Sequence, residues 1–285
     1  MNAIFYTHHY EDEFVRDTFK KLRKLNPQWD IYSIGFKGNK LLPGSLIAKK
    51  DKYPSNSCIE GALPVEWSEA DLLFCEAYRH KPKYDYYFFV EYDTIFNIPV
   101  LDFFDIEGED FLGCNVDNNP GQAWVWIQKF ESFIDQHRDV SMYDDDYGAG
   151  GQTTCVSFNN STLKNYRNEI IKNKYFYEHM FSELRLGTVL KKYTTLKNIR
   201  SDISDYVSWT TDDITYNFKK PYFYHPGGNR CVNSKQMSKD EYYGRAVKCL
   251  DSGIHVPWTK EVEKVEKSAS FAKDEIYDFT RFRPL

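Results

Sequence analysis

An unbroken apolar run near the middle of the chain, followed at once by two acidic residues, is the clearest pattern in the sequence. Residues 84–96 read YDYYFFVEYDTIF, and the run from Tyr86 to Val90 contains only aromatic and β-branched side chains. Such a run is typical of a strand that is buried on both faces in the middle of a parallel sheet. Glu91 and Asp93 lie two residues apart, so in an extended chain both carboxylates point to the same side. The pattern therefore predicts a pair of carboxylates at the carboxyl end of a central strand.

Periodic segments on either side of this run predict alternating strands and helices. Before it we predict strands at 3–7 and 29–34, helices at 11–25 and 68–80, and a long irregular loop at 35–64. After it we predict strands at 111–116, 153–158 and 221–228, a glycine-rich turn at 144–151, a helix that Asn160 caps, and a helical stretch at 176–192 with Gly187 as a candidate break. In the helix at 68–80, Ser68 fits the amino-terminal cap, and Glu69 and Asp71 fit the positive end of the helix dipole. Strands that alternate with helices predict an α/β fold with a doubly wound, mostly parallel central sheet flanked by helices, in a single compact domain.

Composition and charge exclude several classes of protein. The net charge is −5 and no long basic run is present, which argues against a protein that binds the backbone of a nucleic acid. No apolar stretch approaches the roughly 18 residues of a membrane span, and the amino terminus lacks the pattern of a signal peptide. We therefore expect a cytoplasmic protein without a transmembrane segment. Its six cysteines are dispersed and form no CxxC motif, so we expect reduced thiols rather than a zinc site.

The two acidic residues after the central strand have two interpretations. Ligands of open α/β sheets bind at the carboxyl ends of the strands, and paired carboxylates there offer the hard oxygen ligands that suit Mg²⁺ or Mn²⁺. Alternatively, Glu91 and Asp93 are solvated side chains at the point where the strand leaves the core. The residues themselves leave both interpretations open.

Four segments in this order resemble the GT-A family of nucleotide-sugar-dependent glycosyltransferases. They are Glu91-Tyr92-Asp93, similar to the DxD motif of that family; GAGGQTTCVSFNNSTL at 148–163, similar to the segment that lines the donor sugar; SELRLGT at 182–188, similar to the stretch with an acidic catalytic residue; and His225-Pro226, similar to the late histidine of the metal site. The chain departs from the family at Glu91, where the motif begins with Asp, so Glu91 could ligate a metal ion directly or through water. The chain is also similar to glycosyltransferases of large algal viruses.

This resemblance implies a domain organisation and a reaction. It implies a GT-A-like catalytic domain at 1–237, with a nucleotide-binding part at 1–116 and an acceptor-binding part at 117–237. From Ser238, where SKDE matches a capping box, the residues predict a helical extension at 238–285. The resemblance implies a metal-dependent hexosyl- or pentosyltransferase that moves a sugar from a nucleoside diphosphate sugar, with UDP favoured, to a hydroxyl of a glycan acceptor with inversion. The implied cofactor is Mn²⁺ or Mg²⁺, and a histidine ligand favours Mn²⁺.

The resemblance also implies four groups of site residues. They are Asp93, His225 and Glu91 for the metal ion; Thr7, His8, Tyr10 and Tyr92 for the nucleotide; Asp144, Gly150, Gly151 and Gln152 for the donor or acceptor sugar; and Glu183 as the general base. Ordinary structural roles compete with several of them, and Glu178 is a second candidate for the base. Two other functions fit the same residues, namely a noncatalytic sugar- or nucleotide-binding module and a metal-dependent phosphohydrolase.

Overall fold

Strands and helices alternate along the chain, as the sequence predicts. The computed structural model describes residues 1–9, 11, 13–53, 69–92, 94–96, 99–102, 104, 106, 108–118, 125–136, 148–199, 207–208 and 223–226. The elements are, in chain order, β1 (Asn2–Thr7), α1 (Glu13–Leu25), β2 (Asp30–Phe36), β3 (Leu46–Ala48), α2 (Leu72–His80), β4 (Tyr86–Glu91), β5 (Ile95–Phe96), a 3-10 turn (Val100–Asp102), β6 (Phe111–Asp117), α3 (Val125–Gln136), β7 (Gly150–Asn159), α4 (Asn160–Lys172), α5 (Lys174–Tyr177), α6 (Ser182–Leu190), β8 (Lys197–Asn198), β9 (Val207–Ser208) and β10 (Phe223–Pro226).

The chain forms two units, each assembled from separate stretches of sequence. The first unit comprises residues 1–10, 29–91 and 106–199, and the second comprises residues 11–28, 92–105 and 200–285. The predicted boundary after residue 237 and the predicted helical extension at 238–285 lie outside the described residues. No helix in the part of the chain that the structure describes is long and apolar enough to cross a membrane.

Seven strands of the first unit form one mixed sheet in the order β3-β2-β1-β4-β7-β6-β8. Four of the strand pairs are parallel, whereas β7 runs antiparallel to both of its neighbours, β4 and β6. This mostly parallel sheet with flanking helices confirms the predicted α/β fold class. The chain leaves β1 on one side to form β2 and β3, and it returns on the other side of β1 as β4. The strand order therefore reverses between β1 and β4.

Side chains on both faces of β4 are buried, which explains its unbroken apolar sequence. On one face the Phe5 ring of β1 lies 5.3 Å from that of Phe89 and 5.9 Å from that of Tyr87. On the other face the Phe88 ring meets Trp29 edge-on, with the centroids 4.8 Å apart. Burying one such large apolar side chain stabilises a fold by about 1.5–3 kcal/mol, so these rings hold the centre of the sheet together.

A buried ion pair joins three helices on the Phe89 face of the sheet. Arg185 of α6 donates from Nε to the Asp71 carboxylate at 2.8 Å and from a second nitrogen to its other oxygen, and both side chains are 0% exposed. The Tyr166 hydroxyl of α4 donates to the same carboxylate, which directly precedes α2. Burial alone would lower the pKa of Arg185, but the charge of Asp71 and its hydrogen bonds raise that pKa above its ordinary value. The guanidinium is therefore charged, and its position is fixed by its partners.

One of the two predicted helix caps is wrong because its side chain has another partner. Asp71 lies directly before α2, at the amino-terminal end as predicted, and its carboxylate binds Arg185 rather than a helix amide. The cap of α4 is Asn159, whose side chain accepts from the Thr162 amide at 2.8 Å, whereas Asn160 donates to the Tyr84 carbonyl at 2.7 Å. Ser68, the other predicted cap, lies outside the described residues.

Three further predictions about local structure need correction. The predicted loop at 35–64 contains β3, which pairs with β2 and is only three residues long. Gly150 and Gly151 belong to β7 rather than to a flexible turn. Gly187 does not break a helix, because α6 is continuous from Ser182 to Leu190, and the interruption falls between α5 and α6 instead. The helix α3 was not predicted.

The second unit contains α1 and a sheet of three short strands. β10 pairs antiparallel with β5 and parallel with β9, and it occupies the centre of the predicted strand at 221–228. Asn26 ends α1 with both groups of its side-chain amide. Its nitrogen donates to the Leu22 carbonyl at 2.8 Å, and its oxygen accepts from the Val100 amide at 2.8 Å. This residue therefore joins the helix end to the 3-10 turn.

Removing the negative partner of the buried ion pair should destabilise the protein strongly. We expect Asp71→Asn to lower the free energy of unfolding by about 3–5 kcal/mol, because Arg185 is left as an uncompensated buried charge. Urea denaturation followed by circular dichroism measures this change. The double variant Asp71→Leu/Arg185→Met should lose much less, because it leaves no charge behind.

The control for this experiment is a surface ion pair. Lys197 lies 2.6 Å from Glu109 and its side chain is half exposed, so Lys197→Ala should change the same free energy by less than about 1 kcal/mol. Equal losses in Asp71→Asn and Lys197→Ala would contradict the role assigned to the buried pair.

Candidate functional site

The carboxyl ends of β1 and β4 meet where the strand order reverses. Thr7, the last residue of β1, is the register partner of Glu91, the last residue of β4. The Thr7 hydroxyl also lies 3.5 Å from the Val90 carbonyl oxygen. Open α/β sheets bind their ligands at such a reversal, outside the carboxyl ends of the strands. The structure therefore brings a predicted nucleotide residue and a predicted metal ligand together at this sheet edge.

Glu91 is the acidic residue at this position, and two of its neighbours in the described part of the chain are Thr153 and Cys114. Its Oε1 lies 3.4 Å from the Thr153 hydroxyl, which donates to it. Burial raises the pKa of the nearby Cys114 thiol well above its ordinary value, and a hydrogen bond with Cys155 and the charge of Glu91 raise it further. Cys114 is consequently a protonated thiol and a poor metal ligand. The Glu91 carboxylate and the Thr153 hydroxyl are hard oxygen groups, the kind of ligand that Mg²⁺ and Mn²⁺ prefer.

The rest of the predicted metal site lies outside what the structure describes. Asp93 and the side chain of His225 are not among the described residues. Among those residues, no group of three or more histidine, cysteine, aspartate or glutamate side chains could hold a metal ion. The ligand set of Asp93, His225 and Glu91 is therefore still a prediction.

The predicted nucleotide residues differ in how they are placed. His8 is 2% exposed, and its Nε2 lies 3.1 Å from the Ser45 hydroxyl. Because that hydroxyl donates its own proton to the Leu42 carbonyl at 2.7 Å, it accepts from His8, so Nε2 of His8 carries a proton. His8 therefore holds the end of β1 in place. Tyr92 is also buried, and Tyr10 lies outside the described residues.

The glycine-rich start of β7 reaches the same sheet edge because β7 runs antiparallel to β4. Gly150, Gly151 and Gln152 are its first three residues, and all three are buried. A Cβ on Gly151 would lie 3.1 Å from Cγ2 of Val116 in the neighbouring strand, so the small residue allows the two strands to pack closely. Asp144, the fourth predicted sugar contact, lies outside the described residues.

A close contact with this start of β7 places Glu183 at the same edge. A Cβ on Gly187 would lie 2.3 Å from the Ala149 carbonyl carbon and 2.5 Å from the Gly150 nitrogen, so only glycine allows α6 to approach this backbone. Glu183 precedes Gly187 by four residues and therefore lies on the same helix face, one turn toward the amino end. β8 runs parallel to β6, so it begins at the amino edge of the parallel strands. The carboxyl end of α6 leads toward β8 and therefore toward that edge. The amino end of α6 accordingly faces the carboxyl edge.

The Glu183 carboxylate has an aromatic partner on α3, a helix that is not among those predicted. Trp126 of α3 donates from Nε1 to Glu183 Oε2 at 3.2 Å. The apolar spacing of Trp126, Ile127, Phe130 and Ile134 would have predicted this helix. Glu178, the second candidate for the base, has its carboxylate 3.4 Å from His179 Nε2 in the segment between α5 and α6.

Comparison with solved structures finds glycosyltransferases among those that match the chain. They include the galactosyltransferase LgtC in complex with donor and acceptor sugar analogues (13% identity, 93% of this chain and 100% of that chain covered, TM-score 0.46). They also include a glycosyltransferase involved in glycosylation of the major capsid of PBCV-1 (10%, 86% and 98%, TM-score 0.43) and mouse xyloside xylosyltransferase 1 (12%, 81% and 100%, TM-score 0.39). No protein-family model matches the chain, and no curated protein matches its sequence. Structural similarities with TM-scores below 0.5 establish neither the fold nor the activity of this chain.

Adding one methyl group at Gly187 should destabilise the protein, contrary to the usual effect in a helix. Glycine to alanine in an ordinary helix interior stabilises by about 0.5–1 kcal/mol. Here the new Cβ meets backbone atoms that cannot rotate away, so we expect Gly187→Ala to lower the free energy of unfolding by about 1–3 kcal/mol. Chemical denaturation measures the change.

The matched control is an exposed position of α4. Asn165→Ala raises helix propensity without adding a contact, so it should leave stability unchanged or raise it by a few tenths of a kcal/mol. A stabilised Gly187→Ala protein would show that α6 does not depend on its close approach to Ala149 and Gly150.

Proposed function

We propose that this chain is a metal-dependent glycosyltransferase that moves a sugar from a nucleoside diphosphate sugar to a hydroxyl of a glycan acceptor. The observation that carries the proposal is the pairing of Thr7 with Glu91 at the reversal of strand order, where nucleotides bind in open α/β sheets. The placement of Glu183 at the same sheet edge supports it, because transfer needs a carboxylate near the bound donor. The order of the four sequence motifs is the third line of support.

The proposed ligands of the divalent ion are Asp93, His225 and Glu91. When bound, the ion would stabilise the negative charge that gathers on the departing diphosphate. We favour Mn²⁺ over Mg²⁺ because a histidine nitrogen is a softer ligand than Mg²⁺ prefers. The nucleoside of the donor, uridine in preference to guanosine, would lie near the end of β1 at Thr7, where a hydroxyl offers a hydrogen bond.

The proposed role of Glu183 is that of a general base. The oxygen of the acceptor hydroxyl forms a bond to the anomeric carbon while the bond from that carbon to the diphosphate oxygen breaks. Glu183 accepts the proton of the hydroxyl, and the diphosphate leaves with the bonding electron pair. A displacement of this kind in one step inverts the configuration of the anomeric carbon.

Two alternatives make different predictions from the same site. A metal-dependent phosphohydrolase would release phosphate or nucleotide from the donor without an acceptor, and a noncatalytic module would release nothing. A glycosyltransferase releases free nucleoside diphosphate in step with the acceptor that it consumes. Measuring nucleoside diphosphate release with and without acceptor therefore separates the three functions.

Nucleotide binding should depend on a divalent ion and on Asp93. By isothermal calorimetry we expect UDP to bind in the presence of Mn²⁺ and to bind far more weakly with a chelator or in Asp93→Asn, which keeps the shape but removes the charge. His225→Ala should weaken binding less, because it removes one ligand of several. GDP is the matched control and should bind more weakly than UDP. Equal UDP affinity with and without chelator would contradict the metal site, and tighter binding of GDP would contradict the choice of nucleoside.

Removing the charge of Glu183 should slow transfer while leaving donor binding almost unchanged. General-base catalysis contributes about 10²–10⁴-fold, so Glu183→Gln should lower kcat by a factor of that order. Glu178→Gln is the matched control and should keep most of its activity. The reverse pattern would assign the base to Glu178. Retention of the donor configuration in the product, read from the NMR coupling of its anomeric proton, would exclude displacement in one step.

A further inference from the structure

The strongest unassigned contact near the candidate site is the hydrogen bond between Trp126 and Glu183. The indole Nε1–H donates to Glu183 Oε2 at 3.2 Å, across 57 residues of sequence. An indole nitrogen is only a donor, so this bond requires an acceptor oxygen on the carboxyl group. A hydrogen bond of this kind favours the ionised carboxylate, which is the form that a general base needs.

The indole ring is itself held on both α3 and the start of α6. Its centroid lies 3.7 Å from that of Phe181, and the two rings are within 11° of parallel. Phe181 directly precedes α6 and is in extended conformation, so the stacked pair fixes the backbone two residues before Glu183. Lys129, one helical turn after Trp126, places its ammonium 5.1 Å from the indole centroid. A cation at this distance adds attraction to the aromatic ring.

We propose that Trp126 is a positioning residue for Glu183. Its indole N–H orients the Glu183 carboxylate toward the acceptor hydroxyl. This inference rests on the proposed role of Glu183 as the general base. A glutamate side chain in the first turn of a helix has several accessible rotamers, and proton transfer needs its oxygen within about 2.6–3.2 Å of the acceptor hydroxyl. A donor that holds one carboxylate oxygen limits the rotamers available to Glu183. Because the indole N–H only donates, the carboxylate is the proton acceptor of the pair.

A residue that only packs beside the site would contribute through its ring and not through its N–H. Trp126→Phe separates the two, because phenylalanine can still stack on Phe181 but offers no donor. We expect this variant to lower kcat about tenfold, the effect of losing one hydrogen bond to a charged group, and to change the acceptor KM by less than about threefold. The acid limb of its pH–rate profile should move to higher pH, because the ionised carboxylate loses a donor.

The control variant is Trp29→Phe, which removes an indole that packs on Phe88 in the sheet core. It should leave the pH profile of transfer unchanged. The variant Trp126→Phe is also made in the background of Glu183→Gln. If Trp126 acts through Glu183, the substitution Trp126→Phe causes no further change of kcat in the Glu183→Gln background. An equal loss of kcat in both backgrounds would overturn the inference, because it would show an effect independent of the carboxylate.

A measurement without turnover distinguishes failure of this inference from failure of the proposed function. In ¹⁵N NMR spectra the Trp126 indole signal, assigned by its loss in Trp126→Phe, should shift with pH, and the shift should disappear in Glu183→Gln. A signal that does not respond to Glu183 would overturn the contact itself. If the contact is present but Glu183→Gln transfers sugar at the full rate, the assignment of the base fails, and the positioning role fails with it. If Glu183→Gln is slow while Trp126→Phe keeps full kcat and an unchanged pH profile, only the positioning role is overturned.

Discussion

The ion pair of Arg185 and Asp71 is the constraint on which the candidate site depends. Residues two apart on an α-helix point about 200° away from each other, so Arg185 and Gly187 lie on nearly opposite sides of α6. One side is bound to Asp71 through charged hydrogen bonds, and the other side touches the backbone of Ala149. Neither contact tolerates a shifted helix. A buried ion pair is a weak source of stability, and here its geometric restriction on α6 is the more important property.

The carboxyl edge of the large sheet receives the candidate site residues from strands of both directions. Thr7 and Glu91 lie at the carboxyl ends of parallel strands, while Gly150 lies at the amino end of the antiparallel β7. This reversal puts backbone without side chains next to the acidic end of β4, and it allows the close approach of α6. Because β7 runs antiparallel to β4, this edge presents glycine backbone rather than side chains beside Glu91.

The sequence predicts best what depends on local burial. The apolar run of β4 is identified correctly because both of its faces are buried, and Glu91 ends that strand as predicted. The partner of Asp71 could not be predicted, since Arg185 lies 114 residues later and the charge of Asp71 alone fits a helix start equally well. The family resemblance implies a nucleotide contact for His8, but its contact with Ser45 arises only when β1 and the segment after β2 meet.

The central strands of the large sheet are long, but its borders are short. β7 has ten residues, whereas the border strands β3 and β8 have three and two. At the β8 border, the side-chain oxygen of Asn198 accepts from the Val116 backbone amide at 2.6 Å, and its side-chain nitrogen donates to the Val116 carbonyl at 3.0 Å. The register between β6 and β7 is irregular at this point. A border that is two residues long, and is continued by a side chain rather than by backbone, offers almost no template for a strand of another molecule. In the part of the chain that the structure describes, the shortness of this border thereby limits edge-to-edge aggregation.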